Sequence, residues 1–142
     1  MIVLDTNLLV YAHRSMVPEH ARAQSAIESA CNHQEGAGIA TSSVAEFFSV
    51  VTHAKATGRP SAVEEATEFI ALLESTGGIR ICLPHAGFHR RLFLLARDLG
   101  VTGPRIFDLQ IALTGLDNGA TQIWTRDSSF VKVPGLDLVD PL

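Results

Sequence analysis

The chain has 142 residues, a length that suits one domain, 1–142, built around one hydrophobic core. Hydrophobic residues make up 46% of the chain, which excludes an intrinsically disordered protein. The formal net charge of -4 argues against a protein that coats nucleic acid indiscriminately, but it is compatible with an enzyme that binds nucleic acid through a local basic rim.

The N-terminal segment does not resemble a signal peptide, because it lacks a basic start and enters an apolar strand directly. The longest uncharged stretch, 36–45, is much shorter than the roughly 20 apolar residues of a membrane-spanning helix. Cys31 and Cys82 form no C-x-x-C motif, so we expect two buried or half-buried free thiols in a reducing compartment. These features predict a cytoplasmic protein.

The N-terminal part of the chain alternates short strands with helices. An apolar strand is predicted at 2–4 and a short helix at 7–13. A second helix opens at Pro18-Glu19 and ends at the glycine-rich segment 36–38. A weak second strand follows at 38–41.

The same alternation continues to the C-terminus. Ser42 or Ser43 is predicted to cap a helix that runs to about Thr57, and Ser61 is predicted to cap a helix that ends near 76–78. The remaining predicted elements are a strand at 79–83, a helix at 84–99, a helix from 103–104 to 117, a strand at 122–124 and a further strand at 136–139. Helices between strands imply crossover connections. The prediction is therefore an α/β fold, a three-layer α/β/α sandwich with a mostly parallel sheet of four to five strands.

Two acids follow the first two predicted strands. Asp5 comes directly after strand one, and open parallel sheets bind ligands beyond the carboxyl ends of their strands. Asp is also a favoured helix N-cap, which gives Asp5 a structural explanation as well. Glu46 lies at the border of the apolar face of its helix, and Ser43-x-x-Glu46 is a capping-box pattern.

Asp108 and Asp127 complete a set of four acids. Asp108 begins a helix whose polar face carries Gln110, Thr114 and the predicted surface acid Asp117, whereas Asp108 itself points to the apolar side. A carboxylate there is costly unless it is paired, caps the helix or binds a metal. Asp127 follows the fourth predicted strand, where an ordinary turn is the alternative explanation.

The four acids are predicted to converge in one cleft, because parallel strands place their carboxyl ends at one edge of the sheet. Unpaired carboxylates in one cleft repel one another and raise each other's pKa. Mg²⁺ or Mn²⁺ would relieve this repulsion, since both ions prefer oxygen ligands. Carboxylate-held Mg²⁺ commonly acts on phosphate groups, so the pattern favours chemistry on a phosphate ester.

The segments that carry these acids resemble those of the PIN domain family. They are VLDTNLLVYA around Asp5, the early-helix Glu46, FDLQIA around Asp108 and WTRDSSF around Asp127. The resemblance covers the whole chain in the same order, and the length looks like that of VapC-type toxins of bacterial toxin–antitoxin pairs.

This resemblance implies a PIN-like fold and a Mg²⁺- or Mn²⁺-dependent endoribonuclease whose catalytic and metal-binding residues are the four acids. It also implies a supporting role for the neighbouring polar residues Thr6, Asn7, Thr125 and Ser128. The implied partners are RNA, an antitoxin laid across the cleft and a second copy of the chain. Many relatives carry a further acid two residues beyond the Asp127 position, where this chain has Ser129, so the number of metal ions stays open.

Arg105 and Arg126 lie close in sequence to Asp108 and Asp127. They are candidates for contact with RNA phosphates or with an acidic antitoxin residue. The alternative is that they are solvated or form ion pairs with those acids.

Two other groups of side chains have simpler explanations. His85 and His89 have the i, i+4 spacing of a zinc site, but without a third ligand we expect them to be surface residues. Phe47, Phe48 and Phe69 are expected to lie in the core or in a dimer interface.

Two other functions remain as alternatives. One is a non-catalytic PIN-like module that binds RNA or protein, although all four acids are present. The other is a phosphotransfer protein of receiver or haloacid-dehalogenase type, which also has an Asp after its first strand. A haloacid dehalogenase expects a D-x-D pair, but Asn7 takes the second position, and the only late lysine, Lys132, follows Asp127 instead of preceding it. The acid and lysine pattern of a receiver is missing too.

Overall fold

The computed structural model describes residues 1–56 and 58–142. Its elements, in chain order, are β1 (Ile2–Leu4), α1 (Thr6–His13), α2 (His20–Cys31), β2 (Ala37–Ala40), α3 (Thr41–Thr52), α4 (Val63–Ser75), β3 (Arg80–Cys82), α5 (Phe88–Leu99), α6 (Ile106–Asp117), β4 (Gln122–Trp124) and β5 (Asp137–Val139). A 3-10 turn, Gly103–Arg105, leads into α6. The predicted order of strands and helices is confirmed. The predicted end of a helix at Thr57 lies outside the described residues, and α3 ends at Thr52.

The five strands form one parallel sheet in the order β3-β2-β1-β4-β5. Leu4 at the end of β1 lies beside Ile39 of β2 and Trp124 of β4. The chain therefore winds outward from β1 in both directions, and the order reverses between β1 and β4. This is the position at which open parallel sheets bind ligands. The order also differs from the 2-1-3-4-5 order of receiver-type sheets, which argues against that alternative.

The two faces of the sheet are covered by different helices, which confirms the three-layer sandwich. Ile2 and Leu4 pack into a core with residues of α1, α2, α3 and α4. Val3 and Ile123 point to the other face and pack with residues of α5 and α6. Successive residues of a strand point to opposite faces, so a strand as short as β1 contributes to both cores.

Close packing at Gly115 sets the distance of α6 from the sheet. A Cβ atom at this position would lie 3.1 Å from Cγ2 of Val3 and 3.3 Å from Cβ of Ala120. The absence of a side chain therefore lets α6 lie directly against β1. This contact matters for the site because Asp108 lies in the first turn of the same helix.

The predicted serine caps of α3 and α4 are wrong. The last residue of β2, Ala40, is the N-cap of α3, so the chain passes from strand to helix without a loop and Ser43 lies within the helix. The hydroxyl groups of Ser42 and Ser43 are buried and have no hydrogen-bond partner among the described residues. Helix α4 is capped by Glu65, whose carboxylate accepts a hydrogen bond from the backbone N–H of Ala62 at 2.8 Å.

Asp117 is a half-buried ion-pair partner, so its prediction as a plain surface acid is wrong. Its side chain is 8% exposed and binds the guanidinium of Arg91 through two hydrogen bonds of 2.5 and 2.9 Å. It also accepts a 2.8 Å hydrogen bond from the backbone N–H of His85. These contacts tie α5 and the segment before it to the end of α6. Helix α5 begins at Phe88, so the predicted start at Pro84 is also wrong.

Several smaller expectations are confirmed. Cys31 is half-buried and Cys82 is buried, and both are free thiols. His85 and His89 are exposed. Within the described ranges, the helices are too short or too polar to cross a membrane.

Phe47 is the aromatic centre of the core between α1, α3 and α4. Its side chain is 0% exposed, and its ring centroid lies 5.3 Å from that of His13 and 5.2 Å from that of Phe69. The neighbouring Phe48 is 39% exposed. The expected core position is thus confirmed for Phe47 and Phe69.

We predict that Phe47→Ala lowers the free energy of unfolding by about 3–5 kcal/mol, because it removes a fully buried ring and leaves a cavity. Phe48→Ala is the matched control on the same helix and should cost less than about 1 kcal/mol. Urea denaturation followed by Trp124 fluorescence measures both values. Equal losses in the two variants would contradict this description of the core.

Candidate functional site

Asp5 and Thr125 lie side by side at the carboxyl ends of β1 and β4. The backbone N–H of Asp5 donates to the carbonyl of Trp124 at 3.0 Å, which extends the parallel ladder by one step. The hydroxyl of Thr125 donates to Oδ2 of Asp5 at 2.6 Å. Asp5 is only 7% exposed, so a carboxylate is buried at the point where the strand order reverses.

Asn7 joins this pair from the first turn of α1. Its Nδ2 donates to Oδ2 of Asp5 at 2.6 Å and to the Thr125 hydroxyl at 3.0 Å. Its Oδ1 accepts a hydrogen bond from the backbone N–H of Arg126 at 3.2 Å. The other oxygen of Asp5, Oδ1, accepts from the backbone N–H of Thr6 at 2.7 Å, so Asp5 also serves as the N-cap of α1. The predicted N-cap role of Asp5 is therefore confirmed.

Glu46 is held by Thr6 and not by a capping box. The hydroxyl of Thr6 donates to Oε2 of Glu46 at 2.7 Å. Glu46 is exposed and lines the open cleft, although it lies at the border of the apolar face of α3.

Asp108 and Asp127 approach the cleft from the other side of the switch point. Asp108 is half-buried, and its Oδ2 accepts a hydrogen bond from the backbone N–H of Val131 at 3.2 Å. Asp127 is exposed, and its backbone N–H donates to the Thr125 hydroxyl at 2.9 Å. The Thr125 hydroxyl therefore connects the backbone of Asp127 to the side chain of Asp5.

Ser129 and not Ser128 orients Asp127. The backbone N–H and the hydroxyl of Ser129 donate to Oδ1 of Asp127 at 2.8 and 2.7 Å. No side-chain hydrogen bond connects Ser128 to another residue within the described ranges. The turn after β4 folds back on itself and brings the second serine, instead of the first, to the carboxylate. The sequence contained a signal for the backbone bond, since an Asp side chain in a turn commonly accepts a hydrogen bond from the backbone N–H two residues further on.

All four predicted acids line one cleft with a volume of about 320 Å³. Thr6 and Asn7 also line it. Sequence analysis did not assign the remaining lining residues, which are Val10, Tyr11, Val50, Phe107 and Ile111. Thr125 is buried and contributes to the site through its hydrogen bond to Asp5.

The cleft perturbs the pKa values of three carboxyl groups. Burial raises the pKa of Asp5 to about 6, and the charges of Glu46 and Asp108 add to this shift. Burial also raises the pKa of Asp108. The hydrogen bonds from Ser129 lower the pKa of Asp127. A buried acid and an acid held ionised by hydrogen bonds thus lie in the same cleft.

The donor set fits a hard divalent cation, because every candidate ligand is a carboxylate, hydroxyl or amide oxygen. Burial is the main cause of the raised pKa of Asp5, and a cation beside this carboxylate would favour its charged form. Within residues 1–56 and 58–142, however, no group of three or more His, Cys, Asp or Glu side chains is arranged to hold a metal ion. Glu46 and Asp127 are exposed at the mouth of the cleft.

Arg105 and Arg126 form contacts other than the expected pairs with Asp108 and Asp127. Nη1 of Arg126 lies 2.5 Å from Oδ2 of Asp140. The guanidinium of Arg105 donates to the carbonyl of Ser129. Arg105 is therefore attached to the same turn that orients Asp127.

The PIN domain family model matches residues 2–136 of this chain. The chain belongs to the PIN domain family. The chain is 32% identical to VapC ribonuclease Mb2897 of Mycobacterium bovis and to ribonuclease VapC43 of Mycobacterium tuberculosis, over all of this chain and 96% of each relative. It is 27% identical to ribonuclease VapC33 of Mycobacterium tuberculosis, over all of this chain and 99% of that relative.

Solved structures share this PIN fold at lower sequence identity. Mycobacterium tuberculosis VapC20, described as a sarcin–ricin loop cleaving toxin, aligns with a TM-score of 0.68 and 12% identity over 92% of each chain. VapBC2 from Rickettsia felis, solved with a DNA fragment from the promoter, aligns with a TM-score of 0.66 and 22% identity over 98% of each chain. These structures confirm the PIN-like fold that the sequence predicts.

We predict that Asp5 makes the metal-free protein less stable as the pH rises from about 4 to about 6. Its folded-state pKa of about 6 lies above the ordinary aspartate pKa of 3.8, so the folded state holds the proton more tightly throughout this interval. A shift of this size corresponds to a loss of roughly 3 kcal/mol, complete above about pH 6.

Urea denaturation in EDTA across this pH range would measure the loss, with Asp5→Asn as the variant that cannot titrate. The difference in unfolding free energy between the two proteins should change with pH in this interval only. A difference that stays constant with pH would show that the pKa of Asp5 is not raised.

Proposed function

We propose that this PIN domain is a Mg²⁺- or Mn²⁺-dependent endoribonuclease and the toxin of a toxin–antitoxin pair, with 1–142 as its single nuclease domain. The observation that carries the proposal is the convergence of Asp5, Glu46, Asp108 and Asp127 on one cleft at the strand-order switch point. The full-length similarity to proteins named VapC ribonucleases supports RNA as the substrate.

The roles of the four acids follow from their environments. A bound divalent cation would neutralise charge on a phosphate group and lower the pKa of a water molecule. Asp5 is the fixed ligand, because three neighbours hold its two oxygens. Asp108 and Asp127 supply oxygens from the opposite side, and Glu46, bonded to Thr6 through one oxygen, keeps its other oxygen for the cation or for water.

The polar residues around these acids position them and hold their charge. Asn7 and Thr125 both bond to Asp5 and to each other, so a change in either would shift the carboxylate. The preference of Asp127 for its ionised form keeps a ligand charged near neutral pH. One metal ion or two are both compatible with this set, because Ser129 takes the place of a further acid.

The proposed partners are a cognate antitoxin protein and a second copy of the chain, in a cytoplasmic toxin–antitoxin complex. The similarity in fold to VapBC2 and to FitAcB from Neisseria gonorrhoeae, which aligns with a TM-score of 0.62 and 20% identity over 99% of this chain, is consistent with this proposal. Arg105 and Arg126 at the edge of the site are candidates for contact with RNA phosphates or with an acidic antitoxin residue.

A non-catalytic RNA- or protein-binding module is the second candidate. It is favoured by one observation, namely that no three acidic or metal-ligating side chains among the described residues are arranged to hold an ion. The two candidates differ in whether the acids are needed for turnover, so one experiment separates them.

We predict that the purified protein cleaves single-stranded RNA with Mg²⁺ or Mn²⁺ and not with EDTA. Asp5→Asn and Asp108→Asn should each lower the rate by at least about 100-fold, because each removes a negatively charged metal ligand. Asp137→Asn makes the same chemical change at an exposed residue of β5 and should retain the wild-type rate. Gel analysis of labelled RNA gives the rates, and circular dichroism verifies folding.

Cleavage that survives EDTA and both substitutions would reject the four-acid site. RNA binding without cleavage by any folded form would favour the non-catalytic module. Loss of activity in Asp137→Asn as well would indicate an effect of charge in general and not of this cleft.

We predict that Ser129→Ala lowers the cleavage rate by about tenfold or more and that Ser128→Ala leaves it nearly unchanged. Only the Ser129 hydroxyl bonds to Asp127, and loss of a side chain that orients a metal ligand typically costs about 10–100-fold. Rates measured over a series of Mg²⁺ concentrations should show that Ser129→Ala needs more Mg²⁺ for half-maximal activity. The reverse order of effects would mean that Ser128 is the orienting residue.

A further inference from the structure

A second pocket of about 420 Å³ adjoins the acidic cleft on the side of α1 and α3. The two concavities share Val10, Tyr11 and Val50 as a common wall. A polymeric ligand that extends from the acidic cleft across this wall would enter the second pocket directly.

The second pocket has the opposite electrostatic character to the cleft. None of the described residues that line it is acidic, whereas two of them, Arg14 and Lys55, are basic. Arg14 is fixed in the wall, because its guanidinium donates to the carbonyls of Val51 and Arg59 at 2.6 Å each. Lys55 is exposed and has no ion-pair partner within the described ranges.

Two arginines lie at the other edge of the site. Arg105 donates to the carbonyl of Ser129, and Arg126 is in an ion pair. Arg126 lies 2.5 Å from Asp140, so part of its charge is already compensated. RNA is a polyanion and is repelled by four carboxylates wherever a cation does not offset them, so its affinity depends on basic groups next to the cleft. Lys55 is the exposed cation that the second pocket offers for this purpose.

Tyr11 adds an aromatic residue to the basic residues of the second pocket. Tyr11 lines both concavities and is half-buried, and it also packs against the core on the α1 to α4 side of the sheet. The backbone carbonyl of Tyr11 lies 3.1 Å from Nδ1 of His20, so α2 helps to hold this part of α1 in place. An aromatic face beside a basic groove is the arrangement on which proteins stack single-stranded bases.

We propose that this second pocket, which we call the Tyr11–Lys55 pocket, binds a nucleotide next to the scissile phosphate, with its base on Tyr11 and its phosphate near Lys55. The proposal rests on the proposed ribonuclease function and adds a substrate-binding site to it. The pocket extends the site beyond the acidic cleft and makes Tyr11 and Lys55 determinants of RNA affinity.

The test is the dissociation constant of a fluorescein-labelled single-stranded RNA of about 12 nucleotides, measured by fluorescence anisotropy in Ca²⁺ and in EDTA at several salt concentrations. Lys55→Ala should raise Kd about fivefold at low salt and reduce the salt dependence by about 0.7 in the log–log slope, as expected for one lost phosphate contact. Lys132→Ala is the matched control, because Lys132 is the only other lysine and is exposed elsewhere on the surface.

Tyr11 variants test base stacking separately. Tyr11→Leu should raise Kd about fivefold or more at every salt concentration without changing the slope, because stacking is not electrostatic. Tyr11→Phe keeps the ring and should retain wild-type affinity. The thermal unfolding midpoint of each variant verifies that the fold is intact.

The outcomes distinguish this proposal from the ribonuclease function. Metal-dependent cleavage together with equal Kd values for Lys55→Ala and Lys132→Ala would reject the pocket and leave the nuclease intact. RNA binding that depends on Lys55 and Tyr11, without cleavage, would support the pocket and reject the nuclease. Absence of RNA binding, or a Lys55 effect on a poly-glutamate peptide but not on RNA, would overturn the proposal.

Discussion

The burial of a carboxylate at the end of β1 is the constraint on which the rest of the site depends. Asp5 is 7% exposed, and loss of hydration disfavours its charged form. Its oxygens are nevertheless held by Thr6 and Asn7 at the start of α1 and by Thr125 directly after β4. These hydrogen bonds keep a costly group in one orientation, which is an arrangement that a bound cation would stabilise further.

The parallel sheet brings these groups together. The register that sets Leu4 beside Trp124 also sets the next residues, Asp5 and Thr125, beside each other. The lack of a side chain at Gly115 lets α6 lie against β1 and brings Asp108 to the same edge. Residues more than 100 positions apart in the chain thus become hydrogen-bonded neighbours through backbone pairing.

The charges around the site are distributed unevenly. The cleft itself carries four acids, while the adjoining Tyr11–Lys55 pocket is lined by basic and apolar residues among those described. On the opposite side, Arg126 is compensated by Asp140. A chain with a net charge of -4 can therefore present a local basic surface next to an acidic centre, and the net charge alone does not describe how it meets a polyanion.

The sequence by itself determined the order of strands and helices, the three-layer class and the convergence of the four acids. These depend on local hydrophobic patterns and on the geometry of parallel strands, which are properties of short segments. It did not determine which polar group holds which acid. Glu46 bonds to Thr6 in place of Ser43, Ser129 takes the role expected of Ser128, and Asp117 pairs with Arg91. Only the tertiary structure decided these partners, because a hydrogen bond depends on atomic positions set by strand register, helix start and turn shape, and not on spacing in the chain.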